Sequence, residues 1–319
     1  MENMELINLK SKNILVTGGT GFIGSHLVDE LIFLGNKVVV VDNLSSGRKE
    51  NINKKAKFYK LDTRSPKLLD LIKKEKIKVV FHLAAQAIVD TAYDRPLETI
   101  ESNIMGTANL LESCRIYGKI KSIIVTSSDK AYGKSKELPY TENSPLKGDH
   151  PYDFSKTATD LLAQTYAKTY DLPIVITRFS NVFGPRDINF NRIIPGIIES
   201  IIENKPLMIR SNGKMIREYT YVKDIVAGCI KLASQATNFK GEAFNFGSNN
   251  IFNVIETIKN TEKILGVKVN YKILNIAKNE IPKQYLNWSK ARKMLLWKPE
   301  VSFEKGIRES FEWYSAFLN

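Results

Sequence analysis

The sequence predicts an α/β fold in which a doubly wound parallel sheet carries a smaller α/β lobe. Three observations lead there. Short β-branched runs of the kind shown by strands buried on both faces recur through the first half of the chain. Helix-length amphipathic segments separate them, and a glycine-rich turn joins the first run to the first such segment. Strict alternation of strand and helix implies right-handed crossovers and hence a parallel sheet.

The strand candidates are "KNILVT" (12–17), "KVVVVD" (37–42), "KFYKLD" (57–62), "KVVFHLA" (78–84), "SIIVTS" (122–127) and "PIVITRF" (173–179). Helices are predicted over 22–34, 97–117 and 152–170. Beyond Arg178 the rhythm loosens. "SNVFGPRDINFNRIIP" reads as a loop, followed by a helix to Asn204 and a turn at "SNGK" (211–214). Later elements are a helix over 254–265, the segment "VKVNYKI" (267–273), a helix over 289–296 and a terminal helix from Phe303. The expected division is a sheet domain over 1–180, with 219–247 returning to it, and a second lobe within 181–319, mainly 181–218 and 248–319.

With 319 residues and 43% apolar composition, the chain can bury the core of an enzyme-sized protein. No apolar run approaches the roughly 20 residues of a membrane span, and "MENMELINLK" lacks the apolar stretch of a secretory leader. A cytoplasmic protein without membrane partners is expected. Cys114 and Cys229 lie far apart, and His26, His82 and His150 are scattered, so neither disulfides nor a metal site is expected. The net charge of +13 is concentrated in "KKAKFYK" and "KKEKIK", on a strand edge and a helix end. That placement reads as solvated surface rather than a nucleic-acid site.

"VTGGTGFIG" sets Gly18, Gly21 and Gly24 between a strand and a helix. The backbone must turn tightly there, bring its amides to a pyrophosphate and start the helix close against the strand. The second strand ends at Asp42, where a carboxylate can accept both ribose hydroxyls of NAD and repel a 2′-phosphate. Arg48, a few residues on, could serve NADP, but the acid at the strand end outweighs it. The expected cofactor is NAD, on a Rossmann-type domain.

From these residues the chain resembles the extended short-chain dehydrogenase/reductase family of nucleotide-sugar epimerases, dehydratases and decarboxylases. The likeness runs through "TGGTGFIGSHL", Asp42, Asp62, "HLAAQ", "NIMGTANLLE", "SSDKAYG", "YDFSK", "TRFSNVFGP" and "REYTYVKD". It implies that Asp62 lies by the adenine, that Ala84 and Ala85 line the cofactor channel, and that Asn103 supports the loop. Phe22, Ile23, Asn43 and Leu83 complete the implied NAD site. It also implies that Asn181 and Arg217 grip a substrate diphosphate, with Arg192 serving the same end or the base, and that helices 97–117 and 152–170 pair across a twofold axis in a homodimer.

Tyr152 and Lys156 fall one turn apart on one helix face. A nearby ammonium and the positive nicotinamide favour the phenolate, so Tyr152 can act as base while Lys156 holds the nicotinamide ribose. Ser128 would hydrogen-bond the reacting oxygen. The adjacent Asp129 and Lys130 resemble the acid–base pair of hexose 4,6-dehydratases, which eliminate water across C5 and C6 after C4 is oxidised. Asp129 would protonate the leaving hydroxyl and Lys130 would take the C5 proton, after which hydride returns to C6. An Asp-Lys version resembles the CDP-glucose 4,6-dehydratases, while "DKAYG" and "DINFNRIIP" depart from a close member and leave the nucleobase open. The sequence thus predicts an NAD-dependent dehydratase acting on a nucleoside-diphosphate hexose. The alternatives are a 4-epimerase or C4 oxidase on the same scaffold and, more remotely, a non-catalytic NAD-sensing or RNA-binding protein.

Overall fold

The computed structural model describes residues 9–277 and 281–319. The leader reading of the first ten residues rests mainly on residues 1–8, outside that range. Seven parallel strands form the main sheet in the order β10-β6-β5-β4-β1-β2-β3. They are β1 (Asn13–Thr17), β2 (Lys37–Asp42), β3 (Lys57–Lys60), β4 (Val79–His82), β5 (Ser122–Ser128), β6 (Ile174–Phe179) and β10 (Ala243–Phe246). The central strands are buried along nearly their whole length, as their continuous apolar runs require. β3 ends the sheet with Lys57 and Lys60 exposed, a charged edge that resists pairing with another chain.

Helices pack on both faces of this sheet. One core layer joins α1 (Phe22–Phe33) and α8 (Val222–Ala233) to the strands. The other joins α2 (Lys67–Lys74), α5 (Gly106–Tyr117) and α6 (Pro151–Tyr170). The predicted helix over 97–117 is one helical run in three parts. α3 (Val89–Asp94) precedes it, α4 (Pro96–Ile100) opens it, a wide π-type turn at Glu101–Met105 follows, and α5 completes it. The wide turn carries Asn103, in keeping with the tendency of such bulges to mark functional positions.

The second lobe is built on a small sheet in which β9 (Ile216–Tyr221) pairs with β7 (Asn181–Phe183), β11 (Ile251–Asn253) and β13 (Lys283–Gln284). A two-stranded piece, β8 (Leu207–Ile209) with β12 (Tyr271–Ile273), lies beside it. α7 (Ile193–Ile202), α9 (Val254–Leu265) and α11 (Phe303–Leu318) cover the lobe, while α10 (Ser289–Leu295) packs on β10. The return to the main sheet begins with α8 rather than at residue 219, because β9 runs to Tyr221 within the small sheet. Buried Asp224, whose carboxylate accepts the amides of Glu300 and Val301, ties α8 to the C-terminal segment.

Candidate active site

The glycine turn behaves as its spacing requires. A Cβ on Gly24 would lie 2.1 Å from the Gly18 carbonyl oxygen, and one on Gly18, which has φ +70°, would lie 2.7 Å from the Ala84 amide nitrogen. The turn is therefore in contact with the loop after β4. At Gly21 a Cβ would meet only the Gly18 oxygen, at 3.3 Å, so space lies over the start of α1. No side chain caps that helix, and the amides of Phe22, Ile23 and Gly24 have no intrahelical acceptor. Free amides, open space and the positive end of a helix dipole fit a pyrophosphate.

Asp42 accepts the Thr20 amide at 3.1 Å and the Leu44 amide at 2.8 Å, which leaves lone pairs for ribose hydroxyls. Arg48 is turned away, bonded to Glu50 at 3.1 Å and stacked 4.9 Å from the Phe317 ring centre. The donor set fits NAD without a 2′-phosphate. Asp62 accepts Asn43 at 2.9 Å and is forked by Arg64, whose guanidinium pulls the carboxyl down to about 2. Leu83 and Ala84 are fixed by the Thr17 carbonyl and hydroxyl, and Ala85 follows them. Asn103 accepts the Gln86 amide at 2.7 Å and donates to the Gln86 carbonyl and Ser155 Oγ, linking that loop to α6.

The proton-handling groups gather where β5 ends. Ser128 Oγ donates to Asp129 Oδ1 at 3.0 Å and accepts the Lys130 amide, and it stands near the Tyr152 phenol. Ser127 is buried, as expected of a residue turned into the sheet. Asp129 is 3% exposed, and its Oδ2 has no hydrogen-bond partner. Burial pushes its carboxyl above the usual range, against the pull of Lys130 and Arg217. Lys130 is half-buried, and its Nζ donates to Gln284 Oε1 at 2.5 Å. The acid and the amine therefore do not extend into solvent.

Tyr152 differs from the sequence expectation in its electrostatics. Burial pushes the phenol up to about 12, and the cation that opposes this most is Arg192 rather than Lys156. Lys156 turns its Nζ to the Thr126 carbonyl at 3.1 Å, and burial lowers it to about 8. Arg192 pairs with Asp187 at 3.0 Å and keeps 40% of its side chain open, although its guanidinium sits among Asp187, Tyr152 and Tyr314. Arg217 bonds the Ile216 and Ile281 carbonyls, with its charge toward Asp129. Asn181 donates to the Glu218 carbonyl at 3.2 Å. The hollow lined by Lys73, Lys76, Lys78 and Lys119 lies at the other end of the strands, away from these groups.

This architecture matches a known family: the profile described as "NAD dependent epimerase/dehydratase family" matches residues 14–247. The chain belongs to the NAD-dependent epimerase/dehydratase family. It is therefore an NAD enzyme of the extended short-chain dehydrogenase/reductase group. Among its relatives, a UDP-glucuronate 4-epimerase of Thermodesulfobacterium geofontis is 33% identical over 317 residues, covering 94% of this chain and 95% of the relative. The UDP-glucose 4-epimerase of Thermotoga maritima, solved with UDP-glucose, superposes with a TM-score of 0.90 at 33% identity, covering 96% of this chain and 100% of that one. The dTDP-glucose 4,6-dehydratase of Bacillus anthracis, solved with NAD, superposes with a TM-score of 0.86 at 29% identity, covering 96% and 97%. Epimerases and dehydratases of the family thus stand similarly near.

Three groups at the site are not singled out from the sequence, although Glu218 lies within "REYTYVKD" and Asp153 within "YDFSK". Gln284 comes from β13 of the second lobe, Glu218 from β9, and Asp153 follows Tyr152. Glu218 accepts the Ser248 and Leu286 amides, and burial pushes it up to about 8. Burial pushes Asp153 up to about 6, opposed by Lys130. The signal for Glu218 and Asp153 is a carboxylate inside a motif beside aromatic residues, and Gln284 carries no such signal.

Proposed function

We propose that this chain is an NAD-dependent 4,6-dehydratase that converts a nucleoside-diphosphate hexose to its 4-keto-6-deoxy form. The observation that carries this reading is Asp129, a buried carboxyl held toward its protonated form, with a free Oδ2, beside Ser128 and Tyr152. A 4-epimerase needs no such acid. In a dry site the neutral tautomer of the pair, carboxylic acid with amine, avoids the desolvation of two charges while holding the same number of protons. That tautomer is the form elimination needs.

When bound, NAD supplies the acceptor for the C4 hydride and its later donor to C6. Tyr152, as the phenolate that Arg192 and the positive nicotinamide favour against burial, would take the C4 hydroxyl proton, with Ser128 Oγ donating to the same oxygen. Lys130 Nζ takes the C5 proton, the C5–C6 double bond forms, and the C6–O bond breaks as Asp129 Oδ2 protonates the departing hydroxyl to water. The proton on Lys130 returns to C5 when C6 is reduced, Tyr152 releases the C4 hydroxyl proton to solvent, and Asp129 takes one proton back from it. Arg192, Arg217 and Asn181 would meet the diphosphate, where guanidinium and amide donors match phosphate oxygens.

A second reading, a 4-epimerase, is favoured by one observation. Lys130 faces the carboxyls of Asp129 and Asp153, which support its ammonium form. Mass spectrometry of products from CDP-, dTDP-, GDP- and UDP-linked hexoses separates the two. The dehydratase predicts loss of one water, and an isomer of unchanged mass would overturn it.

We also propose a homodimer. Leu97, Met105, Phe154 and Leu161 stand exposed on the run from α4 to α5 and on α6, as a helix-pairing face requires. A cytoplasmic setting belongs to the same reading and is supported by two buried, unpaired thiols, Cys114 and Cys229. Among the described residues no helix is long and apolar enough to cross a membrane.

A further inference from the structure

The second lobe reaches the acid–amine pair through one side chain. Gln284 is 0% exposed and lies opposite Arg217 in the parallel register of β13 and β9. Its Oε1 accepts from Lys130 Nζ at 2.5 Å, and its Nε2 donates to the Asp129 carbonyl at 3.2 Å. One planar amide therefore spans two consecutive residues. The segment behind it cannot swing easily. The Tyr285 carbonyl and Asn287 amide bracket Tyr140, and the Leu286 amide is held by Glu218 Oε2 at 2.9 Å.

We propose that Gln284 is a positioning residue that holds the Lys130 amine in place for proton removal at C5, an inference that rests on the dehydratase reading. An amide oxygen suits the task because it is a neutral acceptor. Both an ammonium and an amine can donate to it, so the contact survives loss of the proton. A carboxylate in its place would hold the charge on Lys130. Donation to the Asp129 backbone, rather than to its carboxyl, leaves Oδ2 unbonded. Among the described residues, the charged and titratable groups around Lys130 include Asp129 on its own turn and Asp153 on α6, with Arg217, Glu218, Tyr140 and Tyr152 facing Asp129 and His150 and Asp149 facing Asp153.

The test titrates Lys130 by carbon-13 NMR of side-chain-labelled lysines, with its signal assigned by its loss in Lys130→Arg. Gln284→Glu, nearly isosteric, should move the Lys130 midpoint up by about one pH unit, a tenfold change. It should also slow elimination at neutral pH by at least about tenfold and shift the rising limb of the elimination pH profile to higher pH. C4 oxidation, followed by single-turnover absorbance of the reduced nicotinamide, should stay within about threefold of wild type. Gln284→Met, uncharged and close in volume, guards against a variant that does not fold and should lose elimination with C4 oxidation kept. Unchanged elimination and an unmoved Lys130 midpoint would overturn the role of Gln284. A wild-type product of unchanged mass would instead overturn the dehydratase reading, and the Lys130 midpoint would still report whether Gln284 governs the amine.

Discussion

Asp129 and Lys130 are adjacent in sequence yet meet different surroundings. The carboxyl points into a buried space with one oxygen unbonded, whereas the amine reaches across to the second lobe. Their proposed duties are separable by substitution. Lys130→Ala should retain C4 oxidation and lower elimination about 100-fold or more, seen as accumulated reduced nicotinamide without a dehydrated product. Asp129→Asn should also stall elimination, because an amide cannot protonate a leaving hydroxyl; unchanged water loss in either variant would remove that residue from the mechanism. Asp42→Asn should weaken NAD binding by roughly tenfold, the order of one charge-assisted hydrogen bond, measured by isothermal titration calorimetry.

The glycine turn shows how neighbouring positions in one element differ in kind. Gly24→Ala forces a methyl to 2.1 Å from the Gly18 oxygen, so the backbone itself must shift. It should lower stability by about 1–3 kcal/mol, read from chemical denaturation. Gly21→Ala has room in the protein but fills the space over the helix start, so it should fold normally and lose NAD affinity. β9 carries a different lesson. Glu218 is pushed up to about 8, above its ordinary 4.5, so the folded chain binds its proton more tightly than the unfolded chain. Its stabilising contribution is complete below about pH 4.5 and is lost as pH rises toward 8. Buried His82, lowered to about 3 between Thr17 and Thr107, works the other way and withdraws stability as pH falls below 6.5. Glu218→Gln should therefore flatten the alkaline decline in melting temperature, an effect on the order of 5 °C; an identical decline in wild type and variant would exclude Glu218 as its source.

For the molecule as a whole, the main sheet supplies the cofactor cradle, and the second lobe closes over the end of β5 from β9 and β13. Exposed apolar residues also stand on a helix that carries the site: Phe154 is 48% and Leu161 49% exposed, both on the helix of Tyr152 and Lys156. Replacing both with Glu should convert a dimer to monomers in analytical ultracentrifugation. A wild-type protein that sediments as a monomer at micromolar concentration would dispose of the proposed interface.

Alternation of buried runs and amphipathic segments was enough to read six strands of the main sheet, its parallel sense and the position of the glycine turn, because all of these follow from local periodicity and backbone sterics. The glycine turn and Asp42 carried NAD, and the resemblance of the motifs carried the family. Other features depend on groups brought together from distant parts of the chain. β10 as the seventh strand and the extension of β9 to Tyr221 are set by pairing across the fold. Gln284 on Lys130 joins residues 154 positions apart, and the raised carboxyls of Asp129 and Glu218 arise from burial, which no spacing in the chain encodes. The kind of residue and its place on an element are written locally, while its dielectric surroundings and its partners exist only once the lobes have packed.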